Sequence, residues 1–202
     1  MRKLVPCVVV AVLATVAGVL ASPAAAASGG GCHLQGSASF SPPLTNTDQS
    51  FTYGFTGNLT GCQSSDAGAP ASGTAEAGQV VTDPSGERFQ EPIPTGKGSC
   101  GSGTTDGTAI ANWADGTVSV IQYHTDAATA VVHLTGTVVP SVTLQAIAPL
   151  PGQPTSKTIT TTRYAGNSAQ GVLTFQPPDP TACAGSGVTS AAIDGFVGLG
   201  AQ

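Results

Sequence analysis

The feature that most constrains the fold is the alternation of polar and apolar residues along positions 107–140. Asp115-Gly116 lies between two segments with this strand rhythm, and an Asp-Gly pair in such a setting is the strongest short-range signal for a β-hairpin. A two-residue turn at this dipeptide places Ala114 opposite Thr117. The sequence therefore predicts two antiparallel strands joined at Asp115.

A third strand extends this hairpin into a β-meander. A reversal at residues 126–128 predicts that Thr125 pairs with Thr129, and the alternation then divides the side chains between two faces. The apolar face is predicted to hold Val118, Val120, Val132 and Leu134 around Trp113. The opposite face is predicted to hold Thr117, Ser119, Thr135 and Thr137. We expect the rest of the domain to be built around this meander.

The first 27 residues have the order of a secretory signal peptide. Basic residues at positions 2 and 3 precede an apolar run over residues 4–20, and small residues of the A-x-A type follow up to Ala27. This order predicts cleavage near Ala27 and export from the cell, so residues 1–27 are excluded from the fold. Residues 28–202 are predicted to form a single extracellular domain, since about 175 residues are enough for one hydrophobic core.

The exported domain is poor in basic residues. Only four remain after cleavage, against eleven carboxylates, which gives a net charge of about −7. A chain with so few Lys and Arg residues cannot neutralise a phosphate backbone or bind strongly to an anionic membrane surface. We therefore expect no nucleic acid among the partners, and no membrane after signal cleavage.

Four cysteines follow the predicted cleavage site: Cys32, Cys62, Cys100 and Cys183. An even number in an exported protein predicts two disulfides, and no two cysteines are close enough for a C-x₂₋₄-C metal clamp. Cys32 and Cys62 flank the open end of a predicted hairpin, near enough to bridge if a bulge absorbs a small register offset. We therefore favour Cys32–Cys62, which leaves Cys100–Cys183 by elimination.

The whole pattern predicts an all-β fold. About ten short strands, with turn signals every 8 to 12 residues or so, indicate a single-domain antiparallel sandwich or barrel. The segment 51–60 has a clear period of two. It places Phe51, Tyr53, Phe55 and Leu59 on one face.

Three residues are candidates for a binding site. Residues 91–103 contain too much Pro and Gly for a regular element and predict a surface loop, in which Lys97 would be the reactive residue of a protease inhibitor. Trp113 is interpreted as the core anchor of the meander, or as a ligand platform if it is exposed. His124 is interpreted as a strand residue at the margin of the sheet.

The sequence predicts no catalytic residue, no metal site and no cofactor. It has no G-x-S-x-G elbow, and turn chemistry explains the carboxylates that precede glycines. His124 and His133 are predicted to lie on opposite faces of the meander, so they would not share a metal ion. We therefore expect a protein that is not an enzyme.

The segments NWADGTVSV and LTGTVV, together with the four cysteines and the alanine-rich leader, resemble small secreted β-rich proteins of high-GC Gram-positive bacteria. The resemblance implies an extracellular location and brings no site residues. Our leading hypothesis is a monomeric, non-enzymatic domain that binds an extracellular protein or glycan or serves as a structural component. The alternatives are a secreted protease inhibitor that uses residues 91–103, and a barrel-type enzyme or small-ligand binder.

Overall fold

The computed structural model describes residues 29–200, and the predicted signal peptide, residues 1–27, lies outside the described residues. The strands are β1 (Gly30–Leu44), β2 (Gln49–Ser64), β3 (Gly73–Ala77), β4 (Val80–Thr82), β5 (Arg88–Gln90), β6 (Thr95–Gly98), β7 (Ser102–Trp113), β8 (Val118–Ala128), β9 (Val131–Val139), β10 (Ser141–Ala146), β11 (Ser156–Thr160), β12 (Ser168–Gln176) and β13 (Val188–Leu199). A short 3-10 helix, Pro180–Ala184, precedes β13. The prediction of an all-β domain is confirmed, with more strands than the ten or so expected.

Eight of these strands form a closed antiparallel barrel. Their order around the ring is β1, β13, β12, β9, β8, β7, β3 and β2, and the pairing of β2 with β1 closes it. The sequence pattern left the sandwich and the barrel open, and the structure is a barrel. We call the end that carries the Cys100–Cys183 disulfide the mouth, and the end that carries Trp113 the closed end.

Two short strands, β3 and β6, occupy the position between β2 and β7 in the ring. β3 pairs with both neighbours toward the closed end, and β6 pairs with both toward the mouth. Residues 91–103 are therefore not a surface loop throughout, because they contain β6 and the start of β7. Their many glycines allowed a short strand whose backbone groups are paired on both sides.

A second sheet covers part of the outside of the barrel. Its strand order is β11, β10, β5 and β4. Phe89 and Leu144 from this sheet pack on Ile110, which points outward from β7, and all three side chains are buried. Both faces of the barrel wall are therefore apolar at this place.

The hairpin at Asp115-Gly116 forms where the sequence predicts it, but its register differs by one residue. The backbone N–H of Trp113 donates to the carbonyl oxygen of Thr117 at 2.9 Å, so the turn has three residues instead of two. Gly116 adopts the left-handed conformation, with φ of 82°. A three-residue turn with glycine at its left-handed position is the next commonest hairpin connection after the two-residue types.

This shift exchanges the two faces of β8. Ala111 pairs with Ser119 and Ile110 with Val120, so Ser119 lies on the inner face and Val120 on the outer face. The prediction that Val118 and Val120 lie on the inner face is wrong, because a one-residue slip moves every side chain of a strand to the other side. Val120 is nevertheless fully buried.

The second reversal also lies further along the chain than predicted. β8 continues to Ala128, which pairs with Val131, and the two-residue turn consists of Thr129 and Ala130. Thr125 therefore pairs with Leu134 and not with Thr129. Leu134 still packs in the core cluster that contains Trp113, as the sequence predicted.

Both predicted disulfides are present. Cys32–Cys62 joins β1 to β2, and an irregularity of the register at Cys32 absorbs the expected offset. Cys100–Cys183 joins the turn before β7 to the 3-10 helix, and the two cysteines are 83 positions apart in the sequence. The two bridges therefore lie at opposite ends of the barrel.

A buried carboxylate lies where the chain leaves the barrel wall between β3 and β6. Glu91 is 1 % exposed; its Oε2 accepts a hydrogen bond from the backbone N–H of Gln79 at 2.9 Å, and its Oε1 has no partner among the described residues. Burial is the main cause that raises the pKa of Glu91 from 4.5 to about 7. A buried acid with a raised pKa makes the folded state prefer the protonated form.

We predict that Glu91 makes the protein less stable as the pH rises from about 4.5 to about 7. The folded state holds the proton of Glu91 in this window after the unfolded state has lost it, so the free energy of unfolding falls with pH by about 3 kcal/mol. Glu91→Gln removes this titration. Urea unfolding at pH 5 and pH 8 should show a smaller loss of stability in the variant, and an equal loss in both proteins would contradict the assignment.

Candidate functional site

An apolar cavity lies in the mouth half of the barrel. The cavity has a volume of about 220 Å³ and is lined by residues of the mouth half of the ring. Its walls are mainly aromatic and aliphatic, including Phe51, Phe55, Leu134, Phe175 and Ile193. Ser102, Thr129 and Ala130 line the cavity and are also exposed, so the cavity reaches the surface at the mouth.

The aromatic residues of the lining come from distant parts of the chain. Phe40 lies with its ring centroid 6.0 Å from that of Phe51 and 6.4 Å from that of Phe175. Phe55 packs edge-on against Tyr123, with the ring centroids 6.4 Å apart. These rings form a connected apolar surface that only the closed barrel brings together.

Four hydroxyl groups form a chain across the wall of this cavity. The Tyr53 hydroxyl lies 2.6 Å from that of Tyr123 and 2.8 Å from that of Thr105. Thr105 Oγ1 in turn lies 2.7 Å from Thr125 Oγ1. The four residues line the cavity, and their hydroxyls form a linked polar group on a mostly apolar surface.

The two tyrosines are neutral at physiological pH. Burial raises the pKa of Tyr53, and it raises the pKa of Tyr123 well above its ordinary value, with the neighbouring Tyr53 as a further cause. Their hydroxyls therefore act as uncharged hydrogen-bond donors and acceptors. Among the described residues, no Lys, Arg, His, Asp or Glu side chain lines the cavity.

The opposite end of the barrel is closed by packing around Trp113. The indole is 8 % exposed, its Nε1–H donates to Ser119 Oγ at 2.9 Å, and the ring of Tyr164 packs edge-on at 5.7 Å. Outside this plug, Arg163 makes ion pairs with Asp115 at 2.9 Å and Asp66 at 3.1 Å. A smaller space of about 60 Å³ remains between Trp113 and Tyr123.

Loops from separate parts of the chain hold the rim of the mouth. The Cys100 N–H donates to the Thr45 carbonyl at 2.8 Å, and the Asn46 N–H donates to the Cys183 carbonyl at 3.2 Å. The Cys100–Cys183 disulfide thus connects two segments that are both hydrogen-bonded to the loop after β1. Both cysteines also line the cavity.

The structure places the three predicted site residues apart from one another. Lys97 is exposed on β6, and its backbone lies in register with Ser50 on β2 and Thr104 on β7. A segment paired on both edges has few free backbone groups for a protease cleft, so the inhibitor hypothesis has little support. Trp113 is the plug of the closed end and contacts the smaller space.

His124 lies on the outer surface of the barrel between two carboxylates. Its Nδ1 is 2.9 Å from Asp106 Oδ1, and its Nε2 is 3.5 Å from Asp126 Oδ2. The hydrogen bond to Asp106 is the main cause that raises the pKa of His124. His133 pairs with Asp126, so it shares the outer face with His124, and the prediction of opposite faces is wrong because of the shifted register.

Neither a metal cluster nor a membrane-spanning helix is found in the part of the chain that the structure describes. No group of three or more His, Cys, Asp or Glu side chains within residues 29–200 is placed to hold a metal ion. No helix in the same range is long and apolar enough to cross a bilayer. The extracellular protein or glycan that we expect this protein to bind on the basis of its sequence stays a prediction.

The hydroxyl chain was not predicted from the sequence. The alternation in β2 places Phe51, Tyr53 and Phe55 on one face, and the structure puts that face on the cavity. Contact between Tyr53 and Tyr123 depends on how the ring closes and on the register of β8. No local pattern contains that information.

Comparison of the chain with protein-family models, with curated proteins and with solved structures finds no match. The fold and the cavity define it as a small, disulfide-bonded, closed β-barrel with an apolar interior space.

We predict that the Cys100–Cys183 disulfide orders the rim of the mouth as well as stabilising the fold. Replacing both cysteines by Ser should lower the free energy of unfolding by about 4.6 kcal/mol, the loop-entropy value for 83 residues. It should also speed hydrogen exchange at the Asn46 amide beyond the change in global stability, because the acceptor of this amide is the Cys183 carbonyl.

The matched control replaces Cys32 and Cys62 by Ser at the other end of the barrel. Its loop-entropy value is similar, about 3.7 kcal/mol for 30 residues, but it lies far from Asn46. Exchange at Asn46 should follow global unfolding in this control. Equal behaviour of Asn46 in both double variants would show that the mouth disulfide has no local effect.

Proposed function

We propose that this protein binds a small, uncharged, mainly apolar molecule in the mouth half of its barrel. The observation that carries the proposal is the cavity of about 220 Å³, with its apolar lining and its opening at the rim. Ligand pockets typically combine such a lining with a few placed polar groups. The hydroxyl chain of Tyr53, Thr105, Tyr123 and Thr125 supplies such polar groups here.

The size of the space supports a binding role over a purely structural one. Protein interiors are close-packed and hold few voids larger than a water molecule. By the value found for cavities in packed cores, 220 Å³ of unfilled apolar space corresponds to about 5 kcal/mol of lost stability. A ligand that fills the space would recover part of this stability, which favours a binding role.

The volume also limits the ligand. An apolar protein cavity of about 150 Å³ binds benzene. In proportion, a cavity of 220 Å³ accepts roughly nine non-hydrogen atoms, and a longer ligand would extend through the mouth.

The lining further limits the charge of the ligand. A charged group would lose its hydration in the cavity, and no oppositely charged side chain of the described residues lines it. An uncharged ligand avoids this cost. The same lining offers no general acid or base that titrates near neutral pH, because both tyrosines have raised pKa values.

We further propose that binding takes place outside the cell. Two disulfides are typical of oxidising compartments, and the order of residues 1–27 is that of a secretory signal peptide. An exported carrier or receptor for a small apolar compound fits both features. The acidic net charge, with only four basic residues after position 27, supports a role without nucleic acid.

We predict that filling the cavity abolishes binding. Ala127 lines the cavity and Ala128, the next residue of β8, is exposed, so Ala127→Trp and Ala128→Trp are a matched pair. The probe is α-methylstyrene, which has nine non-hydrogen atoms and no hydrogen-bonding group. For the wild type we expect a Kd of roughly 1 mM or tighter by calorimetry, from about 0.5 kcal/mol per atom.

Ala127→Trp should weaken binding of α-methylstyrene at least about tenfold, because the indole occupies the space of the ligand. Ala128→Trp should leave the Kd unchanged, and both variants should stay folded by circular dichroism. Equal affinity of the two variants, or no binding to the wild type, would contradict the proposed function.

A further inference from the structure

The four hydroxyls of the cavity wall cannot satisfy one another completely. They are linked in the order Tyr123, Tyr53, Thr105 and Thr125 by three hydrogen bonds. Each hydroxyl has one proton to donate, so the three hydrogen bonds of the chain use three of the four protons. When the hydroxyls donate head to tail, the arrangement in which the bonds strengthen one another, the spare proton lies at one end of the chain.

The two ends of the chain have different surroundings. The Tyr123 hydroxyl lies against the wall beside Pro94 and Gly107, where a Cβ atom on residue 107 would lie only 2.5 Å from its oxygen. Tyr53 is the hydrogen-bond partner that residues 29–200 provide for it. A spare proton at this end would be a buried donor without an acceptor, which is costly.

The other end of the chain is closer to the mouth. Thr125 follows Tyr123 by two residues on β8 and precedes Ala127, and all three line the cavity. If each hydroxyl donates toward Thr125, the spare proton lies at the cavity surface, where a bound molecule can accept it. This direction avoids the unpaired donor in the wall, and hydrogen bonds in such a chain strengthen one another.

We propose that the ligand carries one hydrogen-bond acceptor, which receives the proton of the Thr125 hydroxyl. This inference rests on the proposed function and makes the ligand class more specific. The compounds it selects are small neutral ketones, esters or ethers with an apolar body. Thr125 acts as the specificity residue, and Thr105, Tyr53 and Tyr123 orient its hydroxyl.

The test compares acetophenone with α-methylstyrene, two molecules of the same shape in which C=O replaces C=CH₂. Both are titrated into the full-length oxidised protein and into Thr125→Val, which keeps the shape of the side chain and removes its hydroxyl. The matched control is Thr104→Val, because Thr104 is exposed on the outer face of β7. The infrared band of the acetophenone carbonyl is recorded in each complex.

In the wild type, we expect the carbonyl band at the position it has in an alcohol. Thr125→Val should move the band to its position in a hydrocarbon solvent and weaken acetophenone binding by roughly three- to tenfold, the range for one hydrogen bond. The affinity for α-methylstyrene should stay within about twofold. Thr104→Val should change none of these values.

The outcomes separate the two proposals. Binding of α-methylstyrene together with a hydrocarbon-like carbonyl band in the wild type would overturn the acceptor inference and leave the proposed function standing. A carbonyl band that Thr125→Val does not move would also overturn the inference. Failure of both compounds to bind would overturn the proposed function itself.

Discussion

The pairing of the first barrel strand with the last is the interaction on which the rest of the structure depends. β1 pairs with β2 on one edge and with β13 on the other, so Leu34 has both Leu59 and Gly195 as cross-strand neighbours. An open sheet would expose its two edges and its apolar face. Closure of the ring pairs both edges, encloses the apolar face as the barrel interior, and determines which side chains contact one another there. The Cys32–Cys62 disulfide joins β1 to β2, on the other edge of β1.

Closure of eight strands also explains why the barrel has a cavity. An eight-stranded ring encloses a space that side chains just fill or that holds one small ligand. At the closed end Trp113 and Leu59 are buried and fill the ring. Toward the mouth, small residues such as Ala127, Ala130 and Ala191 line the wall and leave room between the aromatic rings. The cavity thus results from a difference in side-chain size: large residues fill the closed end of the barrel, and smaller residues leave space toward the mouth.

The sequence predicted the central meander, the all-β class and both disulfides, because these depend on local alternation, turn residues and cysteine parity; it missed β6, which lies in the glycine-rich segment 91–103. It did not predict the faces of β8, where the turn at Gly116 has one residue more than the commonest hairpin. Both Ser119 and Val120 are buried, since the second sheet covers the outer face of the barrel there. A strand covered on both faces gives no alternation to fix its register. The contact of Tyr53 with Tyr123 could not be predicted either, because it depends on the register of β8.

The central claim is that the barrel contains an accessible apolar cavity in its mouth half. A crystal structure of the oxidised protein under xenon pressure tests it most directly, because xenon enters apolar protein cavities without needing a hydrogen bond. The account predicts xenon inside the ring between Phe51, Leu134 and Phe175. A ring whose side chains close this space, with xenon only on the outer surface, would contradict it.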